Sequence, residues 1–183
     1  LQSFHLEFKA NPEVYDSHLG MAMGHALLAT EALVRGKDAA DSIQNAELAL
    51  QEAEKTGGDD PLVPLYRAKI RLMKARHRMA KPDGTKKELE KAFLDAESAF
   101  LAARKVGANV WEVFEVGAEI GFWKALSLMK RDAKAASEAA NRSLLWVEEG
   151  LRISAQEPGL WAWKGTLLVL SARLKGRDKA ANE

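Results

Sequence analysis

Ala46-Glu47-Leu48-Ala49-Leu50 and Ala96-Glu97-Ser98-Ala99-Phe100 lie fifty residues apart and read as one pattern written twice. In both, small and apolar residues recur at the three- and four-residue steps that line one face of a helix. Val147-Glu148-Glu149-Gly150-Leu151 is a fainter third copy. Between these stretches lies a second kind of helix in which a small residue is followed by apolar ones. It occurs at Met23-Gly24-His25-Ala26-Leu27, Arg67-Ala68-Lys69-Ile70, Gly117-Ala118-Glu119-Ile120 and Lys164-Gly165-Thr166-Leu167, with the small residues 44, 50 and 47 apart. The turns repeat too, as Gly36-Lys37-Asp38, Lys130-Arg131-Asp132 and Gly176-Arg177-Asp178.

Local signals divide the chain into seven helices. Asn11-Pro12-Glu13 opens the first, which Gly36 ends. Asp38 opens the second, running to Gly57-Gly58, and Asp60-Pro61 opens the third, ended by Lys81-Pro82-Asp83-Gly84. Thr85 and Glu88 form a capping box for the fourth, which stops at Gly107. Asn109 opens the fifth, to about Lys130, and Asp132 the sixth, which ends before Pro158. The seventh runs from about Gly159 to Lys175.

Composition agrees. The 183 residues include 31 alanines against 17 valines, isoleucines and threonines together, a helix-favouring balance. With 47% hydrophobic and 29% charged residues the chain can build a core, and without cysteine it has no disulfide or thiolate chemistry. Its apolar run Leu160 to Leu170 is broken by Lys164 and covers about half the roughly 20 residues a bilayer needs, so no membrane partner is expected. A chain that opens on Leu1 and ends in polar residues reads as a piece of a longer protein, with the cytoplasm as the expected compartment.

One helical hairpin cannot bury both of its apolar faces, so repeated hairpins stack and share a core. The expected fold is all-α, an antiparallel helical-hairpin solenoid of about three and a half hairpins. It forms a single domain over 1–183, with hairpins at about 11–58, 60–107 and 109–157 and a partial one at 158–183. A closed bundle is the alternative. The small position in each first helix and the Ala-rich second helices resemble tetratricopeptide (TPR) repeats, though the period exceeds the usual length of about 34 residues. Ala10-Asn11-Pro12, His18-Leu19-Gly20 and Leu174-Lys175-Gly176-Arg177-Asp178 resemble the TPR-like repeats that follow the catalytic domain in some bacterial serine/threonine protein kinases. That resemblance implies a recruiting or regulatory signalling module. The kinase motifs themselves are absent from the chain.

The third helix is the unusual one. From Pro61 to Lys81 it has seven cationic residues and no acid. Arg67, Arg71, Lys74, Arg78 and Lys81 fall within a stripe about 80° wide, while Lys69 and Arg76 lie nearly opposite. Five neighbouring cations repel, each close pair costing about a few tenths of a kcal/mol, so something must offset them. Either the acids of the second helix (Asp38, Asp41, Glu47, Glu52, Glu54) do so, or the strip binds an acidic or phosphorylated segment. The strip continues partway at Lys164 and Lys175 in the seventh helix.

Of the five tryptophans, Trp111 and Trp161 stand fifty apart; the tryptophans are expected to fill gaps between repeats, the alternative being a partly exposed aromatic anchor in a binding groove. His18 and His25 lie about 10 Å apart along the first helix, too far to share a metal. No base–nucleophile pair or phosphate-binding loop is visible, so no catalytic residues, metal or cofactor are expected. The expected function is a non-catalytic protein or peptide scaffold that meets its partner through Arg67, Arg71, Lys74, Arg78, Lys164 and Lys175 on the concave face. Nucleic-acid binding through the third helix is disfavoured by the net charge of +1. Self-association into a homodimer through exposed repeat ends is a further alternative.

Overall fold

The computed structural model describes residues 15–57, 60–81 and 85–181, and among them seven helices and no strand occur. The helices are α1 (Tyr15–Val34), α2 (Ala40–Gly57), α3 (Leu62–Ala80), α4 (Lys86–Val106), α5 (Trp111–Leu128), α6 (Ala133–Ile153) and α7 (Pro158–Ala181). The most extensive packing is between α1 and α2, α3 and α4, and α5 and α6, each joined by a short connection that returns the chain antiparallel. The expected all-α hairpin class is therefore the observed one. Two compact units divide the chain, Leu1–Val106 carrying α1 to α4 and Gly107–Glu183 carrying α5 to α7.

Most helix ends follow from their sequence. Gly36 turns the chain after α1 with φ at 65°, a conformation open to glycine at little cost. Thr85 Oγ1 accepts from the Glu88 amide at 3.3 Å while Glu88 Oε2 accepts from the Thr85 amide at 3.0 Å, a reciprocal capping box. Asp132 caps α6 by accepting from Ala135 N at 2.9 Å. Asp38 does the same for α2 from Ala40 N at 2.9 Å, and Asp60 for α3 from Leu62 N at 2.8 Å.

Two boundaries differ from expectation. Val110, not Asn109, is the N-cap of α5, and no side chain bonds to its first turn. The Val110 amide instead donates to Gly107 O at 2.9 Å, so a backbone turn sets the entry. Gly176-Arg177-Asp178 forms no turn, because α7 continues through it to Ala181. The expected signals at Asn11-Pro12, Gly58 and Pro82-Asp83-Gly84 lie outside the described residues.

Burial gives the repeat its register. In the second helices the buried positions step by four, three, four and three: Ala39, Ile43, Ala46, Leu50, Ala53; then Leu89, Phe93, Ala96, Phe100, Ala103; then Ala136, Ala140, Ser143, Val147, Gly150. Ser143 thus stands where Ala46 and Ala96 stand. The faint third copy read at Val147 is one helical turn out of step, because letter similarity followed its glutamates whereas packing follows the buried seam. In the first helices, Leu19, Val63, Val113 and Leu160 are all buried, as are Ala26, Ile70, Ile120 and Leu167. Both sets keep the spacings of 44, 50 and 47.

Small residues in these seams let helix axes come close. A methyl on Gly121 of α5 would stand 1.4 Å from Ser143 Oγ and 3.2 Å from the Ala139 carbonyl on α6. A methyl on Gly165 of α7 would meet nothing within 4 Å. Replacing a helical glycine by alanine gains about 1 kcal/mol in helix propensity, whereas overpacking costs about 1–3 kcal/mol. Gly165→Ala should therefore raise the stability read by chemical denaturation and Gly121→Ala should lower it. Equal effects from the two substitutions would contradict the α5–α6 contact.

Candidate functional site: a charged cleft on α3

α3 presents its cationic stripe to α2 and α4, the two second helices of the first unit. Glu47 of α2 receives Lys74 on both carboxylate oxygens, at 2.8 and 2.7 Å, and Arg71 approaches it at 3.5 Å. Arg67 pairs with Glu54, also of α2, and Arg78 with Glu88 of α4. These side chains are partly open to water; Lys74 is 42% exposed and Glu47 22%. Exposed pairs are each worth about 0.2–1 kcal/mol, of the order of the repulsion along α3, so the α2 and α4 acids offset it.

Between these helices lies a cleft of about 700 Å³. α3 lines it with Arg71, Lys74, His77, Arg78 and Lys81; α2 contributes Ala40, Ile43, Gln44 and Glu47; α4 contributes Glu88, Lys91, Ala92 and Asp95. Five lysines and arginines face three carboxylates, so the lining retains an excess of two positive charges. The cleft is lined by one first helix, α3, and by the two second helices α2 and α4. The stripe of α3 faces the acids of both second helices, while its buried residues Val63, Ile70 and Met73 pack into the core.

His77 stands 3.4 Å from Asp38 and yet titrates below the usual histidine range. Burial is the main cause, and Lys81 and Arg78 add to it, outweighing the solvated Asp38 carboxylate. His77 is thus a neutral lining group at pH 7. Asp38 is itself held low, first by the Ala40 amide and then by the positive charge of Lys81.

Of the expected contact residues, Arg71, Lys74 and Arg78 meet in this cleft, and Arg67 continues their stripe toward Glu54. Lys164 and Lys175 belong to α7 in the second unit. Lys164 lies 3.6 Å from Glu148 of α6 and 5.3 Å over the Trp161 ring, and Lys175 is exposed. The sequence reading missed Lys91 and Glu88 as lining residues. The capping box was a usable signal for Glu88, since it fixes that carboxylate at the start of α4, where the chain returns from the last turn of α3.

The tryptophans divide. Trp146 is buried, whereas Trp161 is 52% exposed, its indole N–H donating to Ala155 O at 2.8 Å. Trp161 therefore fills no gap between repeats. His18 and His25 line a smaller hollow between α1 and α2 with Glu52. Among the described residues no three His, Asp or Glu side chains gather closely enough to hold a metal ion, and no helix is long and apolar enough to cross a membrane. Comparison with protein-family models, curated proteins and solved structures finds no match.

Glu88 is the most perturbed carboxylate of the cleft. The Arg78 guanidinium, then the Thr85 hydroxyl and amide, bring it down to about 2. A carboxylate lowered in the folded state stabilises the fold above its ordinary range and loses that contribution as the pH falls through the lowered value. In a carboxyl NMR titration Glu88 should titrate near pH 2, and Arg78→Gln should move it up toward the ordinary 4.5. An unchanged Glu88 in that variant would break the assignment.

Proposed function

We propose that the α2–α3–α4 cleft holds an acidic or phosphorylated segment of a partner protein, and that the chain works as a non-catalytic interaction module. The observation that carries this reading is the convergence of Arg71, Lys74, Arg78, Lys81 and Lys91 on one cleft, in excess of its three acids. Guanidinium and ammonium donors suit carboxylate and phosphate oxygens, and a phosphate at about −1.5 to −2 charge competes for them better than a carboxylate does. Glu47 and Glu88 occupy these donors in the free protein and set a threshold that weakly charged segments do not cross. The recurring hairpins support a TPR-like reading, in which such modules recruit or regulate within a larger cytoplasmic signalling protein.

Titration calorimetry with an acidic phosphoserine peptide tests the proposal. Binding should weaken by about tenfold in a Lys74→Gln/Arg71→Gln variant and strengthen in Glu47→Gln, which frees both cations. Lys81→Gln/Lys91→Gln removes two exposed cations and should also weaken binding without changing the circular dichroism spectrum. Binding that ignores all three variants overturns the proposal. Tighter binding of random-sequence RNA than of the peptide at physiological salt would replace it with a nucleic-acid function.

A further inference from the structure

His77 is the histidine of the α2–α3–α4 cleft, the lining side chain whose ordinary range lies nearest neutral pH. It is 12% exposed, and its Nε2 stands 3.4 Å from Asp38 Oδ1 at the start of α2. That oxygen also accepts from the Ala40 amide at 2.9 Å, which holds the carboxylate beside the ring. The charges around the ring oppose one another. From its own helix Lys81 and Arg78 disfavour a second ring proton, and from α2 Asp38 favours it. Glu47 of α2 and Glu88, Lys91 and Asp95 of α4 line the same cleft, where Glu88 pairs with Arg78 and Glu47 with Lys74 and Arg71. On α1, which also packs on α3, Glu31 and Arg35 pair with each other, and His18 and His25 lie in the separate hollow against α2. In the free cleft burial and the two α3 cations prevail, so the ring is neutral at pH 7.

An anion seated among Arg78, Lys81 and Lys91 reverses that balance. It offsets the cations that oppose the proton and leaves the attraction of Asp38 in place. Lys81 acts on both His77 and Asp38, so an anion on Lys81 lies within electrostatic range of the ring. We propose that the cleft takes up its anionic segment together with one proton from solvent, which His77 carries as an imidazolium between that segment and Asp38. His77 is then a binding residue whose positive charge the ligand itself brings about, an assignment that rests on the anion-binding reading of this cleft. Linkage fixes the sign. A ligand that favours the protonated ring is itself bound more tightly once the proton is present, so affinity rises as the pH falls. Each unit by which the ligand raises the ring's range corresponds to about tenfold in affinity.

Calorimetry with an aspartate-rich peptide tests this, because its carboxylates stay ionised from about pH 8 to about pH 5.5. A phosphate would change its own charge near about pH 6. Affinity for the aspartate peptide should rise about three- to tenfold over that interval. Titrations in two buffers of different ionisation enthalpy should show net proton uptake. Followed by NMR, the His77 ring should titrate at higher pH with either the aspartate or the phosphoserine peptide bound than without it. His77→Gln should lose the rise in affinity. Asp38→Asn keeps a capping side chain on α2 without its charge, and should reduce the rise. An unmoved His77 titration in the complex of either peptide, or a pH dependence that survives in His77→Gln, overturns the inference and leaves the anion site standing. Failure of both peptides to bind removes that site and the inference with it.

Discussion

Close approach between helix axes is the constraint on which the architecture rests. An alanine or glycine at the centre of a seam lets two axes pass with backbone nearly touching backbone, and the larger residues on either side then interlock. In α2 and α4 the third and fifth steps of the seam are Ala and the second and fourth are Ile, Leu or Phe, and in α6 the third and fifth are Ser143 and Gly150. Their counterparts on the first helices are equally small where contact is tightest, as at Gly121. Such a seam keeps a small residue at its third and fifth steps, while the remaining steps vary from Ala to Phe. Repeats of 44, 50 and 47 residues thus keep a common buried register while their surfaces diverge.

Surface divergence is where function enters. The corresponding helices share a burial pattern, yet only α3 gathers a continuous cationic stripe, and only the helices beside it carry the acids that hold that stripe in place. Glu47 is central, since one carboxylate meets both Lys74 and Arg71. The cleft therefore keeps its cations oriented through contacts that are weak at this exposure.

The helices were legible in sequence because their signals are local: alanine content, Asp and Thr caps, and a glycine stop after Arg35. The stripe on α3 was legible for the same reason, being a matter of spacing alone. What sequence left open was direction. The stripe's facing depends on which neighbours pack on α3, a long-range outcome that periodicity does not encode; the structure sets it against Glu47 and Glu54 of α2 and Glu88 of α4. The reading of Trp161 as filler failed for a related reason. Equivalence to Trp111 by a shift of fifty ignored that the last step of the repeat is 47, which places Trp161 with Phe114 on a face that nothing in this unit covers.

The pairing of Glu47 and Glu54 with α3 also bears on how the chain folds. An acid-rich second helix lies beside an acid-free first helix. α2 gains by lying on α3, whereas α5, with Glu112, Glu115 and Glu119 and a single lysine, would meet it with repulsion. The ion pairs of the first unit thus match the charge of neighbouring helices, although each adds little to the depth of the native well.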